Sequence, residues 1–208
     1  MFGIVHYEVF LIAGIILNLT PGSDTIYILS RSISQGRGAG IYSVFGISSG
    51  IAVHTLLAAL GLSVILAQSA LAFSVVKIAG ALYLGYLGMT NLLAKNNTLV
   101  SLTGSVMSHR DIYLQGLLTN VLNPKVALFF LSFLPQFIDS QNSYGIVPFI
   151  FLGVTFLTTG TLWCLLLVFF SAGVTEFLRQ NRKAAYMMNK TCGAIYLFLG
   201  IKLLSVER

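Results

Sequence analysis

The stretch Asn18-Leu-Thr-Pro-Gly-Ser-Asp24 interrupts a long apolar run that begins near Val9 and continues to Leu29. Proline removes a backbone donor and clashes with the preceding helical turn, and glycine adds conformational freedom. At membrane depth, the freed backbone groups are tolerated only where protein or a water-filled cavity satisfies them. The stretch therefore predicts a membrane-spanning helix that is broken near its middle, beside something other than lipid.

The same residues predict how the helix restarts. Thr20 suits the N-cap and Pro21 suits the first helical position. The restarted helix is then expected to present the amides of Gly22, Ser23 and Asp24, which together with the helix dipole favour an anion. Asp24 itself is a carboxylate at membrane depth, and such a residue is a functional candidate by default.

A second apolar run, in the other half of the chain, is interrupted at Asn120-Val-Leu-Asn-Pro-Lys125. Here Asn123 is the predicted N-cap and Pro124 opens the helix, while Lys125 brings a cation to the same depth. Two broken spans in corresponding positions of two halves are the best sequence indication of a transporter's binding site. A polar stripe on the approach to this break consists of Gln115, Thr119 and Asn123.

The composition is that of an integral membrane protein. Of 208 residues, 56% are hydrophobic and 9% are charged, whereas a soluble domain carries about 25% charged residues. The net charge of +6 comes from residues clustered in loops, so no nucleic-acid partner is predicted. The sequence shows no nucleophile–base set, phosphate loop or Cys/His ligand spacing. We therefore expect a transporter rather than an enzyme, with no cofactor, no catalytic residue and no metal ligand.

Six spans are predicted, each close to the roughly 20 residues that a bilayer requires. They cover residues 8–30, 39–67, 71–93, 113–138, 147–173 and 191–204. Lysine and arginine concentrate in the loops after the first, third and fifth spans, which places those loops in the cytoplasm and both termini in the periplasm. The chain is then a single transmembrane domain, with a three-helix unit at 1–94, a cytoplasmic connector at 95–112 and a second three-helix unit at 113–208.

An internal repeat supports this division. The stretch Lys77-Ile-Ala-Gly-Ala-Leu-Tyr-Leu84 matches Lys190-Thr-Cys-Gly-Ala-Ile-Tyr-Leu197. Because each half holds three spans, an odd number, the halves must insert in opposite orientations. The predicted fold is all-α: six transmembrane helices in two inverted three-helix repeats, with helices one and four broken at Pro21 and Pro124. Two positive helix ends would meet near the midplane and attract a carboxylate.

Several candidate residues keep more than one interpretation. Asp24 is a salt-bridged structural charge, a ligand for a substrate ammonium or a proton carrier. Lys125 is expected to have a carboxylate partner, either Asp24 or the substrate. His54 is a proton relay or, as the favoured interpretation, a hydrogen-bonded core histidine. Asn18 and Asn120 bind either exposed backbone or substrate, and the sequence does not separate these uses.

The small residues Gly46 and Gly50 predict ordinary close helix contact. The candidate substrate-binding residues are Asn18, Thr20, Pro21, Gly22, Asp24, Asn120, Asn123, Pro124 and Lys125. The candidates for proton coupling are Asp24 and His54.

Two motifs carry a family resemblance that covers essentially the whole chain. The run Leu19-Thr-Pro-Gly-Ser-Asp-Thr25, followed by Ser32-Ile-Ser-Gln-Gly-Arg-Gly-Ala-Gly40, resembles the first-helix signature of the LysE/RhtB amino-acid exporters. The run Asn123-Pro-Lys-Val-Ala-Leu-Phe-Phe-Leu-Ser-Phe-Leu-Pro-Gln-Phe137 is similar to the second signature of that family. One departure is Ser23, where the family usually repeats proline.

The resemblance implies proton-driven efflux of amino acids such as homoserine, threonine, leucine or lysine across a bacterial inner membrane. The expected partners are an amino acid, protons and the lipid bilayer, and the sequence leaves homodimer formation open. One alternative function is a solute- or water-conducting channel, because paired half-helix starts also suit a pore. Another is a divalent-metal exporter, which the absence of clustered His, Asp or Glu disfavours.

Overall fold

The computed structural model describes residues 2–62, 70–93, 106–139 and 141–171, together with scattered positions from 173 to 204. Within these residues the fold is helical, with one isolated antiparallel bridge between Ile4 and Ile138. The helices are α1 (Tyr7–Leu19), α2 (Ser23–Leu57), α3 (Ala70–Leu93), α4 (His109–Val121), α5 (Pro124–Leu128) and α6 (Val147–Phe169). A π-helical turn, Ala58–Leu62, extends α2; a π turn, Phe129–Phe133, and a 3₁₀ turn, Leu134–Phe137, extend α5.

The apolar helices fit a multi-pass membrane protein. Two helical runs in the described part of the chain, Ser23–Gly61 and Val147–Phe169, contain a stretch that is long and apolar enough to cross a bilayer. The bent pair His109–Val121 and Pro124–Phe137 adds a third when it is counted as one span. Half of the predicted sixth span and most of the connector lie outside the described residues, so the six-span inverted repeat stays a prediction.

Helix α2 is a helical hairpin that turns at Gly36. The backbone of Gly36 has φ 83° and ψ 179° and is not helical, a conformation that glycine adopts without a steric penalty. Residues on either side of the turn face each other, since a Cβ added to Gly40 would meet the Ser32 hydroxyl oxygen. Eight residues of straight helix would separate these positions by about 12 Å. The single helical run thus supplies two antiparallel segments, residues 23–35 and 37–57.

Two helices extend beyond the predicted span boundaries. Arg31 belongs to the first segment of α2 and is 8% exposed, whereas the sequence analysis placed it in a loop. Helix α4 begins at His109 and not at Tyr113, because Ser108 caps it by accepting a hydrogen bond from the Asp111 amide at 3.2 Å. A capped polar turn of this kind extends a helix beyond its apolar part.

Glycines bring α2 and α4 into backbone contact. A Cβ on Gly46 would meet the backbone of Tyr113 and lie 2.9 Å from the Leu117 amide nitrogen. A Cβ on Gly116 would lie 2.9 Å from the Ser43 carbonyl oxygen. Small residues allow this approach, which supports the interpretation of the Gly46 and Gly50 pair as a packing face.

A cluster of phenylalanines joins α1, the extension of α5 and α6. The ring centroids of Phe10 and Phe137 lie 5.3 Å apart, and those of Phe129 and Phe156 lie 4.7 Å apart. Each of these four rings is 5% exposed or less. Buried aromatic rings contribute large apolar areas and prefer such offset or edge-on contacts. The cluster therefore fixes α1 against α5 and α6, just beside the two non-helical links described next.

Candidate functional site

The first link, residues 20–22, joins α1 to α2. The Thr20 amide bonds the carbonyl oxygens of Ile16 and Leu17 at 3.1 and 3.2 Å, and its hydroxyl donates to Ile16 O at 2.8 Å. Thr20 therefore ends α1, and Gly22 is the N-cap of a helix that begins at Ser23. The prediction of Thr20 as N-cap with Pro21 in the first helical position was wrong, because the threonine hydroxyl is used by the preceding helix.

The second link, residues 122–123, joins α4 to α5, and the two helical segments are bent by 46°. The Asn123 side-chain oxygen accepts a hydrogen bond from the Lys125 amide at 3.0 Å, and Pro124 occupies the first helical turn. The predicted roles of Asn123 as N-cap and Pro124 as helix opener are confirmed. The cap orients the asparagine so that its amide nitrogen points away from the α5 backbone.

The carboxylate of Asp24, next to the first link, is bound by residues of the second. Asn120 Nδ2 donates to Asp24 Oδ2 at 2.8 Å, and Asn123 Nδ2 donates to Asp24 Oδ1 at 3.0 Å. The Ser23 hydroxyl adds a longer contact of 3.3 Å to Oδ1. Hydrogen bonds to an ionised acceptor are stronger than neutral ones. The two asparagines thus hold Asp24 in place across the fold.

The ammonium group of Lys125, next to the second link, is bound in turn by the first. Its Nζ donates to Thr20 O at 3.0 Å and to Leu17 O at 3.2 Å. These carbonyls lie at the C-terminal end of α1, which carries the negative end of the helix dipole. The Leu17 oxygen also accepts from the Thr20 amide. The same nitrogen lies beside the backbone of Gly22, 3.4 Å from where a Cβ would stand.

Asp24 and Lys125 both line one small enclosed cavity of about 20 Å³. That volume is about enough for one water molecule and far too small for an amino acid. The charges in the lining are one acid and one base. The other lining residues are Asn18, Thr25, Ile47, Ile51, Val126, Phe156, Gly160, Trp163 and Cys164.

The side chain of Asn18 lines the cavity and is hydrogen-bonded to α6. Its Nδ2 donates to the Thr159 hydroxyl at 3.2 Å, and its side-chain oxygen would lie 3.1 Å from a Cβ on Gly160. The structure therefore shows Asn18 bonding a side chain of another helix, where the sequence analysis expected backbone or substrate.

His54 lies deeper in the fold, behind Asn120. The Asn120 carbonyl oxygen accepts its hydrogen bond at 3.2 Å, and its ring stacks on Phe130 with centroids 5.8 Å apart. The side chain is 6% exposed. These contacts agree with the favoured interpretation of a hydrogen-bonded core histidine.

The residues of the predicted polar stripe, Gln115, Thr119 and Asn123, differ in exposure. Gln115 is exposed, and the Thr119 hydroxyl donates to the Gln115 backbone carbonyl at 2.7 Å. The buried face of α4 instead carries Ile112, Gly116 and Asn120. The spacing of the stripe assumed one continuous helix through Asn123. The bend at the second link interrupts that helix before Asn123.

The sequence analysis missed the contribution of α6 to the cavity. Phe156, Gly160, Trp163 and Cys164 share one face of this helix by their spacing, and all four line the cavity. Nearly every residue of α6 is apolar or a threonine, so periodicity could not distinguish this face from the lipid-facing one. One residue in the sequence could have indicated the face of α6 that lines the cavity: Trp163, the only tryptophan of the chain.

In the described residues, no group of three or more His, Cys, Asp or Glu side chains comes together as a metal site. A cavity lined by one carboxylate, one ammonium, one neutral amide and mainly apolar side chains is chemically suited to a small zwitterion with an apolar side chain.

Comparison with known proteins finds a family and relatives that this chain resembles over most of its length. Residues 15–207 match the family described as LysE type translocator. A leucine efflux protein of Salmonella choleraesuis (strain SC-B67) is 29% identical over 210 residues, which cover 99% of this chain and 98% of the relative. An uncharacterized membrane protein of Bacillus subtilis (strain 168) is 31% identical over 193 residues, covering 88% and 91%. No solved structure gives a significant match.

Proposed function

The chain belongs to the LysE type translocator family, and on this premise we propose that it exports amino acids from the cell, with a leucine-like amino acid as its first candidate substrate. The leucine efflux protein named above aligns with this chain from end to end. The resemblance of the two sequence motifs to amino-acid exporters is confirmed at the level of the family. Membership in a family of translocators and the name of the leucine efflux relative support a transport function for this chain.

The observation that carries the proposal is the meeting of Asp24 and Lys125 at one cavity. The substrate ammonium would bind Asp24, and its carboxylate would bind Lys125 together with the backbone near Gly22. An ion pair with each end of a zwitterion needs one acid and one base at the same cavity, and the apolar lining would receive the side chain. A cationic substrate such as lysine would bring a second ammonium, for which the described lining offers no second carboxylate.

Transport by this site requires the protein to change shape. A cavity of about 20 Å³ holds roughly one water, so a larger substrate enters and leaves only when surrounding helices move apart. We propose alternating access, in which the repeat formed by residues 1–94 rocks against that formed by 113–208. The inverted-repeat arrangement would place the site at the repeat interface, as in other secondary transporters.

The energy source in this proposal is the proton gradient, with Asp24 as the coupling group. Asp24 is the carboxylate at the cavity, and His54 is connected to it through Asn120. Moving one elementary charge through about 100 mV is worth about 2.3 kcal/mol. A single coupled proton is therefore sufficient for a substantial substrate gradient. The membrane would be the bacterial inner membrane, with both termini in the periplasm.

Efflux from proteoliposomes tests the proposal. Vesicles are loaded with labelled leucine, and efflux is followed with and without an imposed proton gradient. We expect saturable efflux that the gradient accelerates, and a loss of at least tenfold in Asp24→Asn and Lys125→Met. Glu8→Gln, at an exposed carboxylate in the first turn of α1, is the matched control and should keep the wild-type rate.

Two outcomes would contradict the proposal. Flux that does not saturate and ignores the gradient would indicate a channel. Efflux that is equal in wild type, Asp24→Asn and Lys125→Met would remove these residues from the substrate site.

A further inference from the structure

The indole nitrogen of Trp163 is a buried donor without a hydrogen-bond partner among the described residues. Trp163 lies on the face of α6 that lines the cavity shared by Asp24 and Lys125. Buried tryptophan N–H groups usually find an acceptor, and each unsatisfied one in a native protein requires an explanation. The unpaired N–H and the cavity of opposite charges therefore belong to the same small region of the fold.

The chemistry of the indole restricts what can satisfy it. The Nε1–H group donates and cannot accept, so its partner must be an acceptor and not an ammonium group. Asp24 already accepts from two asparagine amides, and Lys125 offers only donors. The amide nitrogen of Asn18 donates to Thr159, and the indole forms no hydrogen bond to the remaining acceptor, the Asn18 side-chain oxygen. Of the two ends of a zwitterionic substrate, only the carboxylate brings new acceptors into this cavity.

We infer that Trp163 is a substrate-binding residue whose indole N–H donates a hydrogen bond to the carboxylate of the transported amino acid. This inference rests on the proposed function and deepens it. The indole and Lys125 would together bind the carboxylate while Asp24 binds the ammonium. The substrate class is then a free α-amino acid with an uncharged apolar side chain, since Ile47 and Ile51 supply aliphatic wall.

The role predicts a difference between leucine and 3-methylbutylamine, which is leucine without its carboxylate. Trp163→Phe keeps an aromatic ring and removes the N–H donor. A hydrogen bond to a charged acceptor contributes enough that its loss should raise the KM for leucine about tenfold or more. Inhibition by 3-methylbutylamine should stay within about twofold of wild type, because the amine never contacts the indole N–H. Leu162→Ala, an exposed neighbour on α6, is the control variant.

A second measurement needs no variant. Trp163 is the only tryptophan in the chain, so the intrinsic tryptophan emission of the purified protein in nanodiscs reports on this side chain alone. Leucine should change the emission saturably, with a midpoint close to its KM, and 3-methylbutylamine at the same occupancy should change it far less. This readout stays valid even where Trp163→Phe folds poorly.

The outcomes separate this inference from the proposed function. Wild-type leucine efflux together with an unchanged KM in Trp163→Phe, or an equal emission response to leucine and the amine, would overturn the role of the indole and leave the exporter proposal standing. An indole that is satisfied by water alone gives that same result. Absence of leucine-dependent efflux in the wild type would overturn the proposed function itself.

Discussion

At the scale of single residues, Lys125 stabilises the fold as well as the site. Its ammonium is a donor for the carbonyls of Leu17 and Thr20, and Lys125→Met would leave both buried acceptors without it. We expect the variant to lose about 1–3 kcal/mol of stability, seen as a lower thermal unfolding temperature in detergent. Lys125→Arg should lose less, because it keeps donors and charge.

The control for this prediction is Arg110→Met, which removes an exposed cation from the first turn of α4. Surface charges contribute little to stability, so its unfolding temperature should match the wild type. Equal temperatures for Lys125→Met and Arg110→Met would show that the Lys125 contacts do not stabilise the protein.

Asn123 performs two functions that one substitution can separate. Its oxygen caps α5 and its nitrogen donates to Asp24. Asn123→Asp keeps a good cap but sets a second carboxylate against Asp24, so we expect it to be less stable than Asn123→Ser. Adding Asp24→Asn removes the repulsion and should recover at least half of the lost thermal stability. A double variant no more stable than Asn123→Asp would contradict this pairing.

The residues that the sequence predicted well are those whose roles depend on near neighbours. Asn123 and Pro124 form a local cap, and their positions followed from the chain alone. Thr20 was misassigned because the same hydroxyl can serve the helix before it or the helix after it. The partners of Asp24 are about a hundred positions away in the chain, and Trp163 lies in a helix without polar periodicity, so local patterns could not reveal their contacts.

At the scale of helices, the contact between α2 and α4 depends on Gly46. An added methyl group would press on the backbone of Tyr113 and Leu117, which cannot move aside as a flexible side chain can. Gly46→Ala should therefore destabilise the protein by about 1–3 kcal/mol. In the same element, Gly38 has nothing within 4 Å of its added Cβ. Gly38→Ala should be neutral or gain up to about 1 kcal/mol from helix propensity.

Comparison of the two unfolding temperatures tests the packing directly, because both changes add the same methyl group. A decrease of similar size in both would indicate that helix propensity, not contact with α4, determines the effect.

Hydropathy predicted that these helices exist, and the basic loop suggested a turn after the first span. Hydropathy did not predict that Arg31 would be buried, because a hydropathy profile treats any arginine as the end of a span.

At the scale of the whole molecule, the two links support each other across the fold. The acid beside the first link is bound by amides of the second, and the base beside the second is bound by carbonyls of the first. Opening the cavity toward either side of the membrane must lengthen some of these contacts. A substrate with both an ammonium and a carboxylate can replace them, which would couple its binding to the motion.

The proposed rocking motion can be stopped with a disulfide across the two halves. The hydroxyls of Ser48 on α2 and Thr161 on α6 lie 2.8 Å apart, a separation that cysteines at both positions can bridge. In a background where Cys164 and Cys192 are replaced by alanine, we expect oxidised Ser48→Cys/Thr161→Cys to lose leucine efflux and reduction to restore it. Either single-cysteine variant should be unaffected by oxidation. Full efflux through the oxidised, cross-linked protein would show that the halves do not move apart at this contact, and transport would then have to use a smaller local opening around the cavity.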